Sequence, residues 1–178
     1  MRCRPRAVQP DASIGLTLAP LEHGDSERVR RWLLDPNVQQ WWGNAASAEA
    51  EISLARASDA AICRLIRLGG AAIGYAQAVE YGQATTTRKT PVPAGSWECR
   101  IFIGAMPQRG KGYGKQALDH LAREVFASTL AIACMIPVSI RNERAARAYE
   151  AIGFRWIAIT DDPVHGPSWV MLRDRPRR

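Results

Sequence analysis

The chain has 178 residues, 47% of them hydrophobic, with a formal net charge of +7. That is enough for one compact domain with a sizeable core and too little for two ordinary ones. Residues 1–6 and 173–178 hold seven arginines and one aspartate, so most of the charge sits at the ends and the body lacks the basic, aromatic-interleaved face of a nucleic-acid reader. No apolar run approaches 18 residues and no signal peptide is visible, which predicts neither a membrane span nor export.

In chain order, Ile14, Leu16 and Leu18 alternate with smaller or polar residues as a first strand does, and Pro20 closes it. Asp25 or Ser26 then caps a helix with Val29, Trp32 and Leu33 on its apolar side, ended by Asp35-Pro36. Ser47 opens a second helix through about Ala57. Residues 61–68 and 71–81 form two strands around Gly69-Gly70, a hairpin signal. Residues 82–96, rich in Thr, Pro and Gly, form a long connection of the kind that carries function. A strand from Trp97 to Gly104 follows, then a helix from near Gly112 with Leu118, Leu121, Ala122 and Val125 on its apolar side. A strand from Leu130 to Val138, a helix over 143–152, and strands from Phe154 to Ile159 and Trp169 to Leu172 complete the chain.

The pattern is mixed α/β: one domain over residues 14–173, with basic, solvated tails at 1–13 and 174–178. Cys3, Cys63, Cys99 and Cys134 contain no Cys-x-x-Cys pair and no nearby histidine. They predict no metal site and read as reduced thiols of a cytoplasmic protein.

The most informative stretch runs from Gln108 to Lys115, where Gly110, Gly112 and Gly114 alternate just before a helix. Glycines at alternate positions remove the Cβ atoms that would hold a ligand off the backbone, so successive N–H groups can converge on one anion, and the helix adds the positive end of its dipole. Two of the chain's three lysines, Lys111 and Lys115, flank the turn. No Gly-Lys-Ser or Gly-Lys-Thr follows, so this is not a Walker loop, and the glycine spacing and mid-chain position do not suit a dinucleotide fingerprint.

Thirty residues on lies Asn142, then a helix carrying Tyr149 and ending at Gly153-Phe154. Together the two motifs resemble the GNAT (GCN5-related N-acetyltransferase) superfamily. The resemblance implies acetyl-coenzyme A as cofactor and a mostly antiparallel central sheet that splays between its fourth and fifth strands. It implies that Arg109, Gly110, Lys111, Gly112, Tyr113, Gly114 and Lys115 cradle the pyrophosphate, with Phe102 and Ile103 beside the acetyl carbonyl and an Ile103 N–H donating to the oxyanion. It places Asn142 on the pantetheine arm, a residue that could equally be only the helix cap. Tyr149 matches the tyrosine that protonates the departing sulfur, where the alternative is an interfacial helix tyrosine.

Acyl transfer also needs an unprotonated amine. Glu98 and Arg100 share a face of the strand leading to the loop, and Glu98 is a candidate base, directly or through water, or a salt-bridge partner of an arginine. The stretches Trp32 to Pro36, Trp41-Trp42-Gly43 and Ile73 to Gln77 resemble aminoglycoside 6'-N-acetyltransferases and siderophore-biosynthesis acyltransferases. That resemblance implies an acceptor pocket with Trp41, Trp42, Tyr75, Gln77 and Arg100, although the two tryptophans could instead be core anchors. Two acids expected for an aminoglycoside are replaced by Arg100 and Pro137. Glu80, Glu98, Asp161 and Asp162 could compensate only if loops bring them around the pocket. The expected partner is a small-molecule amine, with a siderophore-type N-hydroxylated lysine or polyamine, or a protein N-terminus or lysine, as alternatives, and the protein a monomer or homodimer without specific nucleic-acid binding.

Overall fold

The computed structural model describes residues 15–82, 91–162 and 166–177. Its elements are β1 (Leu16–Pro20), α1 (Ser26–Leu33), α2 (Pro36–Trp42), α3 (Ala45–Arg56), β2 (Ala61–Leu68), β3 (Ala71–Glu80), β4 (Ser96–Ile103), α4 (Tyr113–Ser128), β5 (Ala133–Ser139), α5 (Glu143–Glu150), β6 (Arg155–Asp162) and β7 (Gly166–Asp174). The strands form one sheet in the order β1-β2-β3-β4-β5-β7-β6, antiparallel except between β4 and β5. Ile14, the N-terminal tail and residues 83–90 of the expected long connection lie outside the described residues.

Alternation along the strands sorts the core into two layers. Leu65, Tyr75 and Phe102 face α1, α2 and α3, where Val29, Leu33, Val38, Trp42 and Ile52 meet them. Ile66, Ala76, Ala78 and Cys99 face the opposite way, against Leu118, Leu121 and Val125 of α4. Tyr149 of α5 and Phe154 join this second layer beside Ile136 and Val138 of β5.

Strands β6 and β7 run longer than the sequence expectation, to Asp162 and over Gly166–Asp174, and two further differences have a readable cause. Pro36 ends α1 but also starts α2: at the first helical position its missing N–H breaks no bond, and the Asp35 carboxylate accepts from the Asn37 N–H at 2.9 Å as the cap. Three helices therefore precede β2 instead of two. β5 begins at Ala133 and not at Leu130, which is 95% exposed. The carbonyls of Phe126, Thr129 and Ala131, around the C-terminal end of α4, are all held by the Arg175 guanidinium, at 2.7, 2.7 and 2.6 Å. Arg175, expected in a solvated tail, thus caps a helix.

A second guanidinium joins the two ends of the future site. Arg109 donates from Nε to the Ile103 carbonyl at 2.9 Å, and from Nη2 to the Gly104 carbonyl and the Asp35 carboxylate, both at 2.7 Å. It therefore ties the end of β4 to the α1–α2 turn. The hydrogen bond from Arg109, with that from the Asn37 N–H, holds the Asp35 carboxyl down to about 2.

Gly104 permits close approach of α1: a Cβ there would lie 2.2 Å from the Trp32 ring. Gly104→Ala is expected to cost about 1–3 kcal/mol by overpacking, read as a lowered urea midpoint, and Trp32→Leu in the same chain should recover part of it. Because the Asp35 carboxyl is depressed in the folded state, its contribution is full above about pH 4 and is lost as pH falls toward about 2. Asp35→Asn should flatten that part of the stability-versus-pH curve while keeping the cap, and an unchanged acid slope would show the ion pair to be energetically silent.

Candidate acyl-transfer site

β4 and β5 pair only at Ser96 with Ala133, Trp97 with Cys134 and Glu98 with Met135. Beyond that point they part, and a cleft of about 520 Å³ opens between them. Asn37, Val38, Trp41 and Trp42 of α2 wall one end, the glycine loop and α5 the other, and residues 100–103 of β4 run between. Gly104 donates its N–H to Ile73 of β3 at 2.9 Å. Antiparallel ladders alternate, so the Ile103 N–H points away from β3, into the split, where no strand partner accepts it.

The glycine loop lies at the α4 end. Gly112 caps α4 in the left-handed region, at φ 85°, and α4 has neither a side-chain cap nor an acid in its first turn. The first N–H groups of the helix are left pointing outward. A Cβ on Gly112 would meet nothing within 4 Å, so the space above the loop is open for an anion. Gly110, Gly114 and Lys115 also line the cleft. Lys111 is exposed, with Nζ 3.5 Å from Gln108 Oε1, and the half-buried Tyr113 packs against the core; neither is part of the lining. Arg109 borders the cleft, but its guanidinium is engaged by backbone carbonyls and Asp35, so it shapes the loop from below.

Sequence reasoning missed Arg144. This side chain lines the cleft and donates from Nη2 to the Gly110 carbonyl at 2.7 Å, placing a cation directly beside the loop. Its only local signal is an arginine in the first turn of α5, and Arg147 nearby is equally visible in sequence yet pairs with Glu143 at 3.1 Å. Outward N–H groups, left-handed glycines and the cations Lys115 and Arg144 together suit a pyrophosphate.

Tyr149 also lines the cleft, is 8% exposed, and has no hydrogen bond on its hydroxyl among the described residues. Burial pushes its phenol well above the ordinary tyrosine range, so it keeps its proton at neutral pH. Asn142 caps α5 through Oδ1, which accepts from Ala145 N at 3.2 Å; it lines the cleft as well, so capping uses its carbonyl and leaves its amide N–H groups for another partner.

At the α2 end, Trp41 is half-buried and Trp42 is core, its indole N–H bonded to the Ile101 carbonyl at 3.1 Å. Both border the cleft, with Phe102 beneath them. Arg100 lines it too, its guanidinium 4.5 Å from the centre of the Trp42 ring. Tyr75 and Gln77 share the face of Arg100 but lie deeper, at 0% and 2% exposure, and neither reaches the cleft lining. The Tyr75 hydroxyl donates to Gln77 Oε1 at 2.9 Å, and Gln77 Nε2 donates to Glu51 of α3 at 2.8 Å. The other Glu51 oxygen accepts from Arg100. Glu51 was not singled out from sequence; Glu98, which was, is buried and outside the lining, and the half-buried Glu80 and the exposed Asp161 lie outside it too.

Comparison with known proteins agrees with this geometry. Over residues 22–161 the chain matches the family described as acetyltransferase (GNAT) domain. No curated protein matches it by sequence. Among solved structures it resembles aminoglycoside acetyltransferase AAC(6')-Ib in complex with coenzyme A, at 24% identity and TM-score 0.78 over 90% of this chain and 95% of that one. A spermidine N-acetyltransferase SpeG chimera of Vibrio cholerae and hSSAT is similar at 17% identity and TM-score 0.70, over 90% and 95% of the two chains. A Bacillus halodurans protein, bh2621, of unassigned function has TM-score 0.77 at 13% identity over 89% and 83%. At these identities the likeness concerns the fold, whereas the family match spans most of the chain: this protein belongs to the GNAT acetyltransferases, enzymes that take their acetyl group from acetyl-coenzyme A.

Proposed function

We propose that the glycine-loop end of the cleft holds the pyrophosphate of acetyl-coenzyme A and the tryptophan-walled end admits the primary amine of a small molecule. The observation that carries this reading is their meeting on one strand edge: anion loop, Tyr149 and acceptor wall all converge on residues 100–103 of β4. Acetyl-coenzyme A, when bound, would supply the activated thioester.

The chain's own groups then divide the work. The backbone of residues 110–115, with Lys115 and Arg144, binds the phosphates. The Ile103 N–H, unpaired by β5, donates to the oxygen on which negative charge develops. Asn142 orients the pantetheine arm through its amide. Tyr149, held protonated by burial, gives its proton to the leaving sulfur. The position of Glu98 outside the cleft lining favours water as carrier of the amine's proton.

Solved structures of similar fold include aminoglycoside acetyltransferase AAC(6')-Ib in complex with kanamycin or ribostamycin and a spermidine N-acetyltransferase chimera, which supports a small amine acceptor. A polycationic sugar calls for an acidic wall. Here the charged side chain on the acceptor wall is Arg100, which favours an acceptor other than an aminoglycoside.

Gly112→Asp, at an αL position that aspartate tolerates better than most residues, puts a negative charge into open space over the loop. It should raise the dissociation constant for coenzyme A by about 10-fold or more in calorimetry, with the fold retained. Unchanged affinity in a folded variant would exclude this loop. Tyr149→Phe should keep coenzyme A affinity and lower kcat by about 10 to 1000-fold. Because burial raises the phenol, the wild-type rate should show no basic limb from Tyr149 below about pH 10; a limb near pH 8 that vanishes in Tyr149→Phe would contradict this role.

A further inference from the structure

We infer that Glu51 and Arg100 act together as the charge-reading element of the acceptor site, selecting a primary amine that carries a carboxylate nearby over a polycation. The inference rests on the reading of the cleft given above and goes beyond it by naming the acceptor's class.

The pair is built, not incidental. Glu51 is a carboxylate and can only accept, so the Gln77 amide must turn its NH2 toward it and its carbonyl toward Tyr75, which fixes the donor direction of the whole chain. Tyr75 and Gln77 are buried, so Glu51 Oε1 is held from inside the fold while Oε2 takes Arg100 Nη1. The guanidinium plane is held a second time by the Trp42 ring, 4.5 Å from its centre. With its side chain only 11% exposed, Arg100 has little freedom left. It is the member that lines the cleft, and Glu51 is not. An incoming acceptor therefore meets the positive end of the pair first.

Two consequences follow for recognition. One hydrogen bond to Glu51 leaves Arg100 with further N–H donors in a fixed fork, the geometry that suits a carboxylate. The charge of Glu51 behind it offsets part of the field, so a single amine is not driven out, while each additional cation close to Arg100 still meets the nearer positive charge and is disfavoured. Glu51 is a positioning residue here: it sets where the fork points and how much positive charge the acceptor feels.

The test compares kcat/KM of wild type, Glu51→Gln, Arg100→Gln and Arg100→Lys on three probe sets with saturating acetyl-coenzyme A. The sets are amino acids with a free side-chain or terminal amine (lysine, 4-aminobutyrate), a neutral-bodied monoamine of similar length, and polycations (spermidine, kanamycin). Wild type should favour the amino acids. Arg100→Gln uncovers the Glu51 charge and should move the amino-acid-to-polycation ratio toward polycations by about 10-fold or more; Glu51→Gln should move it the opposite way. Arg100→Lys, which keeps the charge without the fork, should preserve the direction of preference at lower efficiency. A merely structural pair would lower all three sets in proportion, and a ratio common to all four proteins overturns the inference, as does wild-type preference for the polycations or for the neutral monoamine. If wild type acetylates no amine of any set, the acceptor reading of the cleft falls with it; acetylation with an unmoved ratio sinks only the role of the pair.

Discussion

The site depends on one constraint in the sheet: β4 and β5 share three register pairs and then separate. A strand edge inside a protein cannot leave its N–H and C=O groups idle, because each buried and unbonded group costs about 1–3 kcal/mol. Here the carbonyls of the parted β4 edge are taken up locally, Ile101 by the Trp42 indole and Ile103 by Arg109. The N–H of Ile103 is taken by neither neighbouring strand. Pro137 belongs to the same constraint, since it stands on β5 beyond the last β4 partner, where a residue without an N–H is tolerated in an otherwise central strand.

Arginine, not lysine, maintains this opening, and the chain's 21 arginines to three lysines acquire a meaning other than polyanion binding. Arg109 takes two carbonyls and a carboxylate, Arg175 takes three carbonyls around the end of α4, Arg144 takes one from the glycine loop, and Arg100 takes Glu51. A planar fork can satisfy several fixed acceptors at once; an ammonium is a compact point charge. Such bonds secure irregular backbone where no ladder is available.

Local chemistry in the sequence was readable, and depth was not. The glycine loop, the strand before it and the tyrosine on α5 are set by neighbours within a few residues, so their elements appear where periodicity puts them. The start of α2 was hidden because Asp35-Pro36 carries the same signal for ending one helix and beginning another. Alternation correctly gives Glu98, Arg100, Tyr75 and Gln77 one face, but a face runs from the core to the cleft, and only Arg100 reaches the cleft. Glu51 had no signal: it sits on a helix with weak apolar patterning, where Ile52 is buried and Leu54 is 57% exposed, and its partner Arg100 is 49 residues away.

The two halves of the cleft are also mechanically one piece. Asp35 caps α2, the helix that carries Trp41 and Trp42, and the same carboxylate binds Arg109, which opens the glycine loop. The loop is thus joined through Arg109 to the first turn of α2, and α2 stacks against Arg100 through Trp42. The glycine loop and the tryptophan wall of the cleft are therefore tied to each other by the Asp35–Arg109 ion pair, and neither can shift without disturbing it.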